Sequence, residues 1–344
     1  MNEDLRNKAQ DIHQNSFVFD GLTYLCDGTS TQLLAGGVNA TNITVPSFED
    51  DWPETCASIS RWLARCDNQD SPWVLIESES DFARTEQDGV LGIVMGWQNM
   101  RPVADSLDRI GFFHKLGVRI MQPTYNYQNM LGSGCLETHD TGLSQLGRDA
   151  LRIMNQLGIA VDLSHVGEKT TLDIIEASEQ AVLVTHANAH HLAPLPRNKS
   201  DRVIKGVAQK GGVIGTSIYG PLLWDGESKT PPTMADYLSH VEHIIDIAGI
   251  ENVGFGTDFP AVSEEWKVYA GPDNARTWEA IVDYGHVFGE SIAATYPAGV
   301  DTQADFPQIT AAMLERGWSQ ADISAYLGGN FRRVLGQIWR LQTV

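Results

Sequence analysis

The chain has no glycine-rich phosphate turn. Neither GxGxxG nor GxxxxGK[ST] occurs along it, which argues against the usual nucleotide cradles. Basic residues are scarce: 24 lysines and arginines stand against 44 acidic side chains, for a formal charge of −20. That balance repels phosphate backbones and anionic lipid surfaces, so neither nucleic acid nor a membrane is expected as a partner. Only four cysteines occur, Cys26, Cys56, Cys66 and Cys135, with no CxxC pair among them, and this excludes a zinc ribbon or a disulfide scaffold. No uncharged apolar run approaches the roughly 18 residues of a spanning helix, and the opening MNEDLRNKAQDIHQNSF has no apolar stretch behind a basic start. A cytoplasmic protein is expected. Linkers, repeats and low-complexity tracts are missing as well, so residues 1–344, with 42% hydrophobic residues for a core, are read as a single domain.

What is present is an alternation of short strand-like runs and helical stretches. Strands are expected at 16–20, 37–45, 90–95, 118–122, 159–162, 181–185, 212–216 and 252–255, and 73–77 also reads as a short strand. Between them, 55–66, 104–116, 144–157, 168–178, 200–210 and 234–248 carry apolar residues at helical spacing, several closed by glycine. Eight βα units in sequence predict an α/β fold of the (β/α)8 TIM-like barrel type, distorted where the second strand is hard to place. After the last strand, 260–305 is of mixed polarity, and 306–344 reads as a C-terminal helical cap.

In a parallel barrel, side chains that follow the C-terminal ends of strands converge on one mouth. His165 in VDLSH and His186 in VLVTH close two successive apolar runs 21 residues apart, which points to two metal ligands at neighbouring strand ends. Gln98 and Asn99 follow the third expected strand, Thr124, Tyr125 and Asn126 the fourth, and Asp258 the eighth. Each alone has an ordinary structural explanation; Asp258 in VGFGTDF could cap a helix, and Arg197 in PLPRN could be a surface arginine. Together they point to a site. His190 and His191 lack an HExxH glutamate and precede two prolines, so they are assigned to the surface or the periphery. His240 and His243, at i and i+3 in an expected outer helix, are assigned to a solvated face.

Several long segments then resemble the membrane (renal-type) dipeptidases, zinc peptidases of a distorted (β/α)8 fold. They are TGLSQLGRDALRIMNQLGIAVDLSHVG, VLVTHANAHHLAPLPRNKSD, the GGVIG strand, VGFGTDF and GGNFRRVL. The resemblance implies that His165 and His186 ligate a metal ion, that Arg197 holds the substrate's terminal carboxylate, and that Asp258 handles the proton. It also exposes departures. Where the family carries an HxD ligand pair, this chain reads DGLTY, placing Leu22 and Tyr24 there; Gln98 in GWQN replaces the bridging glutamate, and Tyr125 in PTYN replaces a carbonyl-polarising histidine.

Two of these substitutions, at the aspartate and at the bridging glutamate, remove two negative charges together, which matches the loss of one dication. One divalent metal ion, zinc by family, is therefore expected, held by His165 and His186 with Gln98 or Asp258 and water. The expected activity is a dipeptidase-like amidohydrolase cleaving a small carboxylate-bearing substrate, a dipeptide or N-substituted amino acid, by metal-activated water. Asp258 would be base and then acid, Tyr125 the oxyanion donor, and Asn126 an orienting group. The resemblance implies a homodimer. The alternative is a non-hydrolytic descendant that binds a small ligand or a protein.

Overall fold

The described residues form nine short strands, every one paired in parallel: β1 Phe19–Thr23, β2 Ala40–Thr44, β3 Trp73–Leu75, β4 Leu91–Trp97, β5 Val118–Met121, β6 Ala160–Asp162, β7 Val182–Val184, β8 Val213–Thr216 and β9 Val253–Phe255. The computed structural model describes residues 3–24, 29–68, 70–259, 287–288 and 296–340. Cys26, most of 260–305 and the last four residues of the expected cap lie outside them.

Strand order is β1-β2-β4-β5-β6-β7-β8-β9, and a parallel bridge from Thr23 to Phe259 brings the first strand back to the last, nearly closing a barrel of eight. β3 is the distortion. β2 pairs with β4 along Gly92 to Gly96, while β3 pairs with Leu91 to Ile93 and β5 only from Met95 onward, so two strands share one edge of β4.

The first strand runs three residues later than expected, because Gly21 is a strand residue here rather than a breaker. A Cβ at Gly21 would stand 2.3 Å from the Thr185 carbonyl oxygen and 3.0 Å from Phe331 Cζ. Close approach of the barrel wall requires glycine at this point. This shift moves Leu22 into β1 and leaves Tyr24 just beyond its end.

Inward residues Phe19, Ala40, Val94, Ile120, Ala160, Leu183 and Val213 form one apolar cluster with Phe331, Val334, Leu335 and Ile338 of the helix Asn330–Trp339. That helix plugs the barrel. Phe331 fills space left by three glycines on β1, β8 and β9: a Cβ on Gly254 would lie 2.7 Å from its ring, and those on Gly21 and Gly215 at 3.0 and 3.1 Å. The outer helices follow local rules. In Gln145–Leu157, Gly147, Ala150, Leu151 and Met154 repeat at helical spacing toward the strands; the Ser144 side chain caps the start by accepting from Gly147 N, and Gly158 ends the helix at φ +66°.

Candidate metal and substrate site at the barrel mouth

β6 ends at Asp162 and β7 at Val184, so the chain turns outward just before His165 and His186. Both turns are pinned by hydrogen bonds. His165 N donates to Gln122 Oε1 at 3.2 Å, and His186 N donates to Ser164 Oγ at 3.1 Å. The rings then meet with their Nε2 atoms 3.1 Å apart.

The far side of each ring is committed. Asp162 is buried, its two oxygens accepting from Ser164 N, Ser164 Oγ, Thr185 N and Thr185 Oγ1. Because the Thr185 hydroxyl gives its proton to Asp162 at 2.8 Å, its oxygen accepts from His186 Nδ1, also at 2.8 Å. Asn126 Oδ1 lies 2.8 Å from His165 Nδ1 and serves that ring in the same way. Both Nδ1 atoms therefore carry the protons, and two Nε2 lone pairs face each other. Burial first, then the charges of Arg197 and Lys199, hold both imidazoles well below their ordinary pKa, keeping them neutral.

Two facing lone pairs repel unless something positive lies between them. Nitrogens bound to one zinc at about 2.05 Å stand about 2.9 Å apart at a right angle and about 3.3 Å at the tetrahedral angle, so the observed 3.1 Å fits a single ion. The described residues contain no cluster of three or more His, Cys, Asp or Glu suited to a metal. The pair thus fits one ion, and the family's first-strand ligands have no replacement: Leu22 is apolar, and the phenol of Tyr24 is pushed upward in pKa by burial.

Gln98 follows β4 immediately. Its Nε2 donates to Tyr24 OH at 2.9 Å and to Thr44 Oγ1 at 2.7 Å, which leaves Oε1 buried without a hydrogen-bond partner among the described residues. Tyr125 is sandwiched, with Phe48 stacked at 4.1 Å on one face and His165 at 4.0 Å on the other. Burial and the negative charges nearby raise its hydroxyl's pKa, so it remains a proton donor. Arg197 is buried and donates to the carbonyl oxygens of Ser164 and His186. No carboxylate pairs with it among the described residues.

Asp258 lies three residues past β9 with φ +55°, a left-handed conformation that a short polar side chain tolerates, and its N–H donates to Leu22 O at 3.1 Å. Burial raises its pKa to about 7; Asp20 adds to the rise and Arg197 opposes it. A carboxyl in that range exchanges protons near neutrality.

Some placements were not anticipated from sequence. His240 is buried, not on a solvated face: its Nδ1 accepts from Ala189 N at 3.2 Å. His243 does lie nearer the surface, paired with Asp201 at 2.9 Å, and His190 and His191 are exposed. Asp162, Thr185 and Gln122 orient the histidines, and Lys199 is a buried cation whose pKa burial lowers to about 8. The signal for Asp162 was a charged residue within an otherwise apolar strand run. Lys199 in PRNKSD gave no comparable signal.

An amidohydrolase from Pseudomonas aeruginosa superposes with a TM-score of 0.84 at 30% identity, over 96% of this chain and 99% of that one. A metallopeptidase from Rhodobacter sphaeroides shares the fold with a TM-score of 0.75 at 21% identity, over 94% of this chain and 100% of that one. The class is thus the amidohydrolase-type (β/α)8 barrel. Within it, the chain belongs to the membrane dipeptidase family, peptidase family M19, whose family model matches residues 37–270. Dipeptidase tcpJ of Claviceps purpurea is 28% identical over 260 residues, which cover 75% of this chain and 53% of that protein. The matches to two further dipeptidases span 46% and 52% of their lengths. No helix among the described residues is long and apolar enough to cross a membrane.

Proposed function

We propose that this chain is a metal-dependent amidohydrolase which cleaves an amide in a small substrate bearing a free carboxylate, and that it works in the cytoplasm as a homodimer. The observation that carries this reading is the 3.1 Å approach of two neutral imidazoles whose other nitrogens are already committed. His165 and His186 would hold one divalent ion, zinc by the nature of its donors, with Gln98 Oε1 the unpaired oxygen available to complete the shell. Such an ion supplies Lewis-acid polarisation of a carbonyl and an acidified water.

The chain's own residues supply the rest. Arg197 has three of its five N–H groups without a partner among the described residues, a fork suited to a carboxylate. The Tyr125 hydroxyl, which makes no hydrogen bond among the described residues, would donate to the oxyanion as the carbonyl becomes tetrahedral. Asp258 would take a proton from water and return it to the leaving nitrogen. The Rhodobacter sphaeroides neighbour was solved with a phosphinate mimic of the dipeptide L-Ala-D-Ala, and a ligand of that kind suits these donors.

A second reading, a ligand-binding descendant without hydrolysis, draws on the same distance. At 3.1 Å one Nε2–H can also donate to the other ring if the Asn126 amide turns its nitrogen toward His165. Elemental analysis separates the two. Hydrolysis predicts one equivalent of a divalent metal in the purified protein, lost in His165→Ala together with turnover; absence of any stoichiometric ion would remove the hydrolytic reading.

A further inference from the structure

Among the described residues, the side chains that follow or end β1 and β4 at the mouth, Leu22, Tyr24 and Gln98, are uncharged. Leu22 contributes hydrocarbon, Tyr24 an un-ionised phenol, and Gln98 a carboxamide whose nitrogen is fixed by Tyr24 and Thr44. The opposite side carries two buried cations, Arg197 and Lys199, neither with a carboxylate partner within ion-pair distance among the described residues; Lys199 Nζ donates only to Val166 O, at 3.1 Å.

Two buried carboxylates do lie close by, yet neither offers a lone pair to a ligand. Asp20 accepts from Leu22 N, Thr23 Oγ1, Thr257 N and Thr257 Oγ1. Asp162 likewise accepts four hydrogen bonds, all from Ser164 and Thr185. Of Asp20, Asp162 and Asp258, that leaves only Asp258 open to a ligand, and the function proposed above gives it a proton to carry. A free α-ammonium bound here would lose its hydration without gaining an unengaged anionic partner at this corner of the mouth among the described residues, an unfavourable exchange. A neutral acyl or carbamoyl group would lose little.

We propose that the substrates are N-blocked amino acids, N-acyl or N-carbamoyl, in preference to free dipeptides, and that the uncharged side chain of Gln98 helps set this choice. The inference rests on the hydrolytic reading of the same site. For an N-acyl amino acid, the oxygen of water bonds to the acyl carbon and the C–N bond breaks. The proton removed by Asp258 goes to the departing nitrogen, and the water's second proton passes from the newly formed carboxylic acid to the amine, giving a carboxylate and a free amino acid in its zwitterionic form.

N-acetyl-L-alanine and glycyl-L-alanine form a matched pair, differing only by a hydrogen in place of an ammonium group. With the metal-loaded full chain, kcat/KM is expected to favour N-acetyl-L-alanine at least tenfold, and in Gln98→Glu that ratio is expected to fall at least tenfold. Equal or better turnover of glycyl-L-alanine by the unaltered chain would overturn the inference and leave the hydrolytic reading standing. An unchanged ratio in Gln98→Glu would overturn the role of Gln98. If neither compound is turned over, the hydrolytic reading fails, and calorimetry on chelator-treated protein decides the selectivity. There, tenfold tighter binding of N-acetyl-L-alanine upholds it, and equal or weaker binding refutes it. The same titration of chelator-treated Gln98→Glu separates an effect of charge on the ligand from an effect on the metal.

Discussion

The Asp162 carboxylate accepts a hydrogen bond from the Thr185 hydroxyl at 2.8 Å, and this single commitment orients what lies beyond it. With its proton spent, Thr185 can only accept from His186 Nδ1, so Nε2 of that ring is left as the outward lone pair. An acid, a hydroxyl and an imidazole thus act in series, fixing a tautomer from behind as carboxylates commonly do for metal-bound histidines.

Thr185→Val keeps the shape of the side chain and removes the relay. Metal affinity, measured by competition with a chromophoric chelator, is expected to fall by about 10- to 100-fold. Unaltered affinity would mean that the tautomer is set elsewhere.

Asp258 should appear in the pH profile. With its pKa raised to about 7, the base form accumulates as pH increases, so kcat/KM should climb through an acid limb centred near that value and flatten above it. Asp258→Asn should lower kcat/KM by about 10²- to 10⁴-fold and abolish that limb. A limb that persists in the variant would assign the titration to another group.

His13 makes stability depend on pH far from the site. Its ring joins the helix Glu3–Gln14 to Thr310 Oγ1 and to the Gly36 carbonyl, each at 2.7 Å. Burial lowers its pKa to about 4, while the unfolded chain retains 6.5. Between those values the unfolded state binds the extra proton, so stability is full above pH 6.5 and is lost as pH falls toward 4, by up to ~3 kcal/mol. Urea midpoints at pH 7.5 and 5 should differ less in His13→Gln than in the unaltered chain.

The plug at the barrel base should be costly to remove. Phe331→Ala empties the space kept open by Gly21, Gly215 and Gly254 and should cost ~3–5 kcal/mol in chemical denaturation. A loss below 1 kcal/mol would show that the neighbouring side chains collapse into the gap.

Much of the barrel was legible in the chain. The strands expected at 118–122, 159–162, 181–185, 212–216 and 252–255 fall within one residue of β5 to β9 at either end, since buried parallel strands require near-continuous hydrophobic stretches. β1 was displaced because Gly21 resembles a breaker until the Thr185 carbonyl is seen against it. His240 was misplaced for a related reason. Helical spacing identifies a face, but not the Ala189 N–H and the Leu223 carbonyl packed against it.

The sequence by itself determined the order of βα units, the positions of His165 and His186 after successive strands, and the presence of Leu22, Tyr24 and Gln98 where the family it resembles carries ligands. These follow from local pattern and residue identity. Tertiary structure alone decided how the protons are arranged: Asn126 stands 39 residues from the ring it orients, and Gln98 lies 74 from the tyrosine that holds it. Hydrogen-bond direction and buried charge arise between groups that only folding brings within 3 Å, where water no longer screens them.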